Sequence, residues 1–198
     1  SSGKPALGVG AGNTPAVIDE TADIDMAVSY ILMSKTFDNG MICASEQSVI
    51  ALKSVYEKVK AEFVHRGAYL LTAKEADKLA KIILTPKGVN PAIVGQPAAK
   101  IAQMAGITVP EHAKILLAEQ TSTEAANPFA HEKLSPILSL YKADKFEDAV
   151  DKALALVELG GMGHTSVLYT DTRKQDRVDY FAKKLPTGRL LINSPSSQ

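Results

Sequence analysis

Cys43 is the residue of this chain with the most distinctive chemistry, because the sequence contains a single cysteine. It follows the pair Asn39-Gly40 and precedes an apolar stretch that begins at Gln47, so we expect it at the junction of a helix and a strand. Backbone N–H groups at such a junction are free to face a substrate oxygen, and a thiolate there would act as a nucleophile. The alternative is that a lone cysteine packs as a small buried apolar side chain.

Histidine supplies the second candidate chemistry. His164 ends the glycine-rich turn Gly160-Gly161-Met162-Gly163-His164 directly before a predicted strand. It could act there as an acid or base, or only as a structural hydrogen-bonding group. His65 and His112 are expected in solvent, and His131 lies in a long polar segment beside Glu132. One cysteine and scattered histidines have no zinc-ligand spacing, so no metal site is predicted.

Two further segments resemble functional motifs at first sight, but their residues alone are explained by a structural role. The glycine-rich segment 8–13 lacks the G-x-G-x-x-G register, and no P-loop lysine follows it. We interpret it as tightly packed backbone that passes near the site. The pair Glu132-Lys133, taken alone, indicates a solvated charge pair before an extended segment that contains Pro136.

The elements that must position these residues alternate between strands and helices. The predicted strands are 16–19, 47–52, 92–94, 114–118, 137–141, 165–169 and 189–192. The predicted helices are 24–38, with Thr21 or Asp23 as N-cap and an end near Asn39-Gly40, then 54–65, 72–84, 97–105, 146–159 and 172–184. This alternation predicts an α/β fold, with a mainly parallel, open twisted sheet and helices on both faces. Ligands of such sheets are expected beyond the carboxyl ends of the strands. The long polar segment 119–135 is expected to cover a site.

Composition excludes several classes of protein. The chain has 198 residues, of which 45% are hydrophobic and 22% charged, so it is long and apolar enough for one domain with a real core. Lys plus Arg and Asp plus Glu each number 22, which gives no basic excess for nucleic acid. No apolar run reaches the length needed to cross a membrane. A single cysteine favours a reducing, cytoplasmic compartment. The missing initiator Met before Ser1 indicates a tag remnant or a piece of a longer protein.

Three motifs together resemble the aldehyde dehydrogenase superfamily, in particular the CoA-acylating aldehyde dehydrogenase part of bifunctional aldehyde–alcohol dehydrogenases. They are segments 37–47 around Cys43, 128–136 around Glu132 and 160–166 around His164. The resemblance covers essentially the whole chain, including segment 2–15. It implies that residues 1–198 are a single catalytic domain excised from a larger chain. A cofactor-binding domain would precede this domain, and an iron-dependent alcohol dehydrogenase domain would follow it.

The resemblance also implies roles for individual residues. Cys43 corresponds to the thiol that attacks the aldehyde, and Glu132 to the carboxylate that hydrogen-bonds the nicotinamide ribose of NAD. Leu134 takes the place of an aromatic residue near the nicotinamide, and His164 is assigned to proton transfer or to CoA handling. Val9 stands where hydrolytic relatives carry a glutamate general base. Since valine cannot accept a proton, the acyl group is expected to pass to CoA rather than to water.

The expected reaction interconverts acetyl-CoA plus NADH with acetaldehyde, CoA and NAD through a thioester on Cys43. The chain alone is expected to be inactive and to bind NAD weakly, because the resemblance places the NAD fold upstream. A homo-oligomer, with filaments as one form, is also implied. Three alternatives remain open. The chain could belong to another cysteine-dependent reductase such as a glutamyl-phosphate reductase, it could serve mainly in filament assembly, or it could be a generic α/β domain with a buried thiol.

Overall fold

The computed structural model describes residues 11–198, so the expectations for Val9 and for the glycines at positions 8 and 10 lie outside the described residues. The strands are β1 (Pro15–Ile18), β2 (Ser48–Leu52), β3 (Ala68–Leu70), β4 (Leu84–Thr85), β5 (Gly88–Val89), β6 (Ile115–Gln120), β7 (Ile137–Ala143), β8 (Thr165–Tyr169) and β9 (Arg189–Ile192). The helices are α1 (Ile24–Thr36), α2 (Tyr56–His65), α3 (Ala73–Ile83), α4 (Ala98–Met104), α5 (Phe146–Gly160) and α6 (Gln175–Lys184).

Seven of these strands form one sheet in the order β3-β6-β7-β2-β1-β8-β9, while β4 and β5 make a small separate hairpin. Every strand pairing in the large sheet is parallel. The central strands are buried on both faces, as the burial of all four residues of β1 and all five of β2 demonstrates. Parallel pairing brings the amino ends of all seven strands to one edge of the sheet.

Helices cover both faces of the sheet. The even-numbered side chains of β1 pack with α1 and α2 in one apolar cluster. Val17 and alternate residues of β2 and β7 pack with α5 and α6 on the other face, where α3 and α4 form a further cluster with β6. This architecture confirms the predicted α/β fold with a parallel sheet between two helical layers. Among the described residues, no helix is long and apolar enough to span a membrane.

Helix α1 illustrates how local sequence directs the chain toward Cys43. Asp23 caps its start by accepting a hydrogen bond from Met26 N at 3.0 Å, one of the two caps expected. The helix ends at Thr36, several residues before the predicted end at Asn39-Gly40. The earlier end follows from the backbone, because Phe37 is extended and the next three residues have positive φ angles.

Other boundaries also differ from the expectations. Residues 92–94 form turns rather than a strand, since Pro91 and Gly95 bracket too short an apolar run to pair. The strands β3, β4 and β5 were not expected, because each has only two or three residues. Thr72 and Glu75 form the expected capping box at the start of α3. The errors therefore concern short elements, whose sequence patterns are too brief to be distinctive.

Candidate active site

The candidate residues all lie in segments that lead into parallel strands. Cys43 precedes β2, Glu132 precedes β7 and His164 immediately precedes β8, while Gly12 precedes β1. Since β7, β2, β1 and β8 are neighbours in the sheet, these four segments meet at its amino edge. The expectation of a site beyond the carboxyl ends is therefore wrong for these residues. The reason is that the chain carries them on the connections that enter the strands, not on those that leave them.

Gly12 is the point where the three candidate segments come together. A Cβ atom at this position would lie 2.3 Å from the Cys43 carbonyl oxygen and 3.1 Å from His164 Nε2. Its backbone N–H donates to Glu132 Oε1 at 3.0 Å. The interpretation of this segment as tightly packed backbone thus holds for Gly12. The absence of a side chain is what allows the segments of Cys43 and His164 to approach so closely.

Cys43 is exposed, so the alternative of a buried thiol does not describe the fold. The chain turns away from the end of α1 toward Cys43 through three residues with left-handed backbone conformation, Asp38, Asn39 and Gly40. Asn39 Nδ2 donates to Gly95 O at 3.0 Å, which holds this turn in place. Within the described residues the Cys43 N–H has no protein acceptor, which leaves it free to donate to a ligand oxygen.

Glu132 is half-buried, and its carboxylate accepts a hydrogen bond from Gly12, which lies against the Cys43 backbone. Burial raises the pKa of its carboxyl group, while the Gly12 N–H and the charges of Lys35 and Lys133 act in the opposite direction. Within residues 11–198, its second oxygen, Oε2, makes no hydrogen bond. The carboxylate therefore keeps one acceptor for a ligand hydroxyl.

Leu134 has a φ of 47°, in the left-handed region that a leucine rarely adopts. Its carbonyl oxygen accepts a hydrogen bond from Gly95 N at 3.0 Å, so the turn that also binds Asn39 holds this conformation. The side chain is half-buried, two residues beyond Glu132. Strained residues of this kind occur often where a ligand must be met in one geometry.

His164 is half-buried, and its Nδ1 lies 3.0 Å from Thr165 Oγ1. That contact leaves Nε2 on the side of Gly12, close to the Cys43 carbonyl group. The ring is therefore oriented by its neighbour and directs its second nitrogen into the candidate site. His65 and His112 are exposed, as expected.

A buried polar group beneath Cys43 and Glu132 was missed by the sequence reasoning. Lys35, Glu46, Gln47 and Lys133 are each 0% exposed. The Gln47 side-chain oxygen accepts hydrogen bonds from Lys35 Nζ at 3.2 Å and from Lys133 N at 3.1 Å. Lys133 Nζ donates to the carbonyl oxygens of Phe129 and His131. The reading of Glu132-Lys133 as a solvated charge pair is therefore wrong for the lysine.

Burial changes the acid–base behaviour of this group. Desolvation lowers the pKa of Lys35 to about 7, although the carboxylates of Glu46 and Glu132 oppose the shift. Desolvation likewise raises the pKa of Glu46 to about 7 and lowers that of Lys133 well below its usual value. One feature of the sequence could have identified Lys35 as a buried residue. It extends the apolar stripe of α1 at four residues after Ile31, and so falls on the buried face.

We expect Gln47→Leu to lower the free energy of unfolding by about 2–4 kcal/mol, because it leaves the Lys35 ammonium and the Lys133 N–H without their shared acceptor. Urea unfolding of the full-length protein, followed through the transition of this domain, measures the change. Gln103→Leu, on the exposed side of α4, is the matched control and should change stability by no more than about 0.5 kcal/mol. Equal stabilities for the two variants would contradict the role assigned to Gln47.

A cleft of about 450 Å³ lies beside Glu132. Its walls come from the glycine-rich segment, the Glu132 loop, the end of α5 and the small hairpin, through Ala11, Asn13, Leu84, Thr85, Gly88, Val89, His131, Glu132, Leu159 and Gly160. The Glu132 Oε2 atom, which has no donor within residues 11–198, suits a diol ligand such as a ribose at the wall of this cleft. The residues present therefore fit the ribose of a dinucleotide. Within residues 11–198, no cluster of three or more potential metal ligands occurs.

The opposite edge of the sheet has a larger cleft of about 620 Å³. It lies near the carboxyl ends of β1, β2 and β7 and contains Glu20 and Arg177 among its walls. Arg177 is paired there with both Asp19 and Glu20. None of the candidate residues reaches this cleft.

Comparison with known proteins gives consistent matches. The aldehyde dehydrogenase family model matches residues 2–198. The chain is 60% identical, over 199 aligned residues, to the bifunctional aldehyde-alcohol dehydrogenase of Escherichia coli K12, covering all of this chain and 22% of that protein. It is also similar to the solved acetylating aldehyde dehydrogenase of Geobacillus thermoglucosidasius, with a TM-score of 0.94, 43% identity, and coverage of 99% of this chain and 43% of that one.

A third match carries ligands. The propionaldehyde dehydrogenase of Rhodopseudomonas palustris, solved with bound CoA and an acylated cysteine, has a TM-score of 0.86 and 32% identity to this chain. The match covers 98% of this chain and 44% of that one. The chain thus spans less than half the length of each of these three proteins.

Proposed function

This chain belongs to the aldehyde dehydrogenase family, and from that premise we propose that it is the cysteine-bearing catalytic domain of a CoA-acylating aldehyde dehydrogenase. The proposed activity interconverts acetaldehyde, CoA and NAD with acetyl-CoA and NADH. The similarity to an acetylating aldehyde dehydrogenase and to an enzyme with bound CoA and an acylated cysteine supports the reaction class. The bifunctional relative supports a place within a longer chain that also has an alcohol dehydrogenase part.

One observation carries the proposal, namely the convergence of the segments of Cys43, Glu132 and His164 on Gly12. The backbone of an exposed cysteine, the carboxylate of Glu132 and the Nε2 atom of His164 thus all lie close to one glycine. Covalent catalysis by a thiol needs a nucleophile, a group that moves a proton and a fixed position for the partner substrate. These three residues supply all of them at one edge of the sheet.

In the oxidation direction, the Cys43 thiolate forms a bond to the aldehyde carbon, and the carbonyl oxygen becomes an oxyanion. The Cys43 N–H, which has no acceptor within residues 11–198, would donate to that oxyanion. Bound NAD would supply the acceptor for the hydride that leaves the same carbon, so that a thioester would remain on Cys43. Glu132 accepts hydrogen bonds from the cofactor ribose and so holds the cofactor near the thioester.

The acyl group then leaves Cys43. His164 Nε2 takes the proton of the CoA thiol, and the CoA thiolate attacks the thioester carbon. The bond from that carbon to Sγ breaks, and the Cys43 thiolate is regenerated. Val9, at the sequence position that the resemblance gives to the general base of hydrolytic relatives, cannot activate water. The acyl group is therefore expected to wait for CoA.

The test uses the full-length protein supplied with acetyl-CoA and NADH. It measures free CoA and the sum of acetaldehyde and of the ethanol that the alcohol dehydrogenase part would form from it. Equimolar formation of both supports the proposal. Reduction of glutamyl phosphate but not of acetyl-CoA would instead identify the alternative reductase. A mass increase of one acetyl group on the peptide that contains Cys43, observed with acetyl-CoA in the absence of NADH, would locate the thioester.

We expect Glu132→Gln to weaken NADH binding about tenfold, because the amide still accepts the Gly12 N–H but offers no charged acceptor to the ribose. Fluorescence titration of full-length protein with NADH measures this effect. Glu124→Gln, an exposed change in the same connection, is the control and should leave the affinity unchanged. Unaltered NADH binding by the Glu132 variant would remove this residue from the cofactor site.

A further inference from the structure

Lys35 carries its amino group in the buried interior of the protein. It lies in the last turn of α1, on the helix face that also buries Ile31 and Leu32, and it is 0% exposed. Placing a charge there is strongly unfavourable unless partners compensate, whereas a methionine would fill the same space without burying a charge. A buried lysine therefore needs a reason beyond packing.

The contacts of Lys35 lead to the candidate site. Its Nζ donates to Gln47 Oε1 at 3.2 Å, and the same oxygen accepts the N–H of Lys133, the residue after Glu132. The Gln47 amide nitrogen, Nε2, donates to Ser45 O at 3.2 Å, within the segment that follows Cys43. Gln47 thus connects the segment of the nucleophile with the segment of the carboxylate, and Lys35 fixes the position of Gln47.

The charges around Lys35 come from three groups. The carboxylates of Glu46 and Glu132 favour its protonated form. Its positive charge in turn lowers the pKa of the neighbouring Lys133. In return, the positive charge of Lys35 favours the ionised form of Glu132, which burial disfavours. Among the described residues, Lys35 and, to a smaller extent, Lys133 are the lysines that favour the ionised form of Glu132.

We propose that Lys35 is a positioning residue of this site, which holds Gln47 against the Glu132 segment and provides the buried counter-charge for the Glu132 carboxylate. The inference rests on the proposed function, because Glu132 is the residue through which Lys35 would act on the cofactor. Lys35 itself does not touch the reacting atoms.

The proposal has a characteristic pH dependence. Without the Lys35 charge, the pKa of Glu132 rises, so this carboxylate takes up a proton at a higher pH than in the wild-type protein. As the solution is acidified, the affinity of a variant without the Lys35 charge for NADH should therefore begin to fall at a higher pH than that of the wild-type protein. Above about pH 7 Lys35 loses its own proton in the wild-type protein, so wild type and variant should converge.

The experiment is a fluorescence titration of full-length protein with NADH between pH 6 and 8.5, without aldehyde or CoA. We expect Lys35→Met to weaken binding about fivefold at pH 6 and by less than about twofold at pH 8.5. Lys58→Met, an exposed change on α2, is the matched control and should follow the wild-type profile. A loss of affinity that is equal at every pH would assign Lys35 a purely structural role and overturn the proposal.

Two further variants complete the design. Glu46→Gln removes a carboxylate that favours the charged form of Lys35, so it should weaken NADH binding near neutral pH in the same direction but by less. This variant also tests the proposal if Lys35→Met does not fold. In a protein that already carries Glu132→Gln, the additional change Lys35→Met should cause no further pH dependence of NADH binding. Normal NADH binding by Glu132→Gln would contradict the proposed function. If Glu132→Gln binds NADH weakly but Lys35→Met has the wild-type pH profile, only the present inference is contradicted.

Discussion

Replacing Cys43 with serine is expected to lower CoA-dependent aldehyde oxidation by about 10⁴-fold or more, the largest effect of any single substitution in this chain. Serine keeps the size of the side chain but has a far weaker nucleophile at neutral pH. Because Cys43 is exposed, the exchange removes no packing. The loss should therefore appear in kcat, with thermal stability and NADH binding unchanged.

The measurement compares full-length Cys43→Ser and Cys43→Ala with wild type in the acetaldehyde, CoA and NAD assay. Both variants should also fail to acquire an acetyl group from acetyl-CoA by mass spectrometry. Turnover above about one hundredth of the wild-type rate in the alanine variant would mean that the thiol is not the nucleophile. That result would refute the proposed mechanism, even though the fold assignment would stand.

Gly12→Ala is expected to lower kcat/KM about 100-fold, since small displacements of reacting groups have effects of this size. The added Cβ would lie 2.3 Å from the Cys43 carbonyl oxygen and 3.1 Å from His164 Nε2. Neither contact is tolerated without movement, and the nearer atom belongs to the backbone. The segments that carry Cys43 and His164 would therefore have to separate.

Gly106→Ala is a control for the added Cβ alone, because Gly106 follows α4 and does not line the cleft beside Glu132. A Cβ atom at Gly106 would meet no described atom within 4 Å, although its φ of 67° makes alanine strained there. The control should thus lose some stability but retain activity within about twofold of wild type. Wild-type activity in Gly12→Ala would show that the convergence at this glycine is not needed for catalysis.

Strong local patterns were sufficient to predict most of the large elements. The stripe of α1, its Asp23 cap and the capping box at Thr72 all come from residues within one or two helical turns of one another. The strands β8 and β9 have the predicted bounds. The wrong strand at 92–94 and the unexpected strands β3, β4 and β5 are short segments, in which pairing with distant residues decides the conformation.

For the candidate site, the sequence by itself determined which residue types are available. They are one thiol, a histidine on a glycine turn and a carboxylate shortly before an extended segment. It also determined that each precedes a strand, because that order is local. Only the tertiary structure decided that these segments share the amino edge of the sheet, that Gly12 lies between them, and that Lys35 and Lys133 are buried beneath them. The physical reason is that parallel strands bring together residues that lie far apart in the chain. Whether Lys35 and Lys133 are buried therefore depends on distant segments of the chain, and local sequence does not reveal which segments these are.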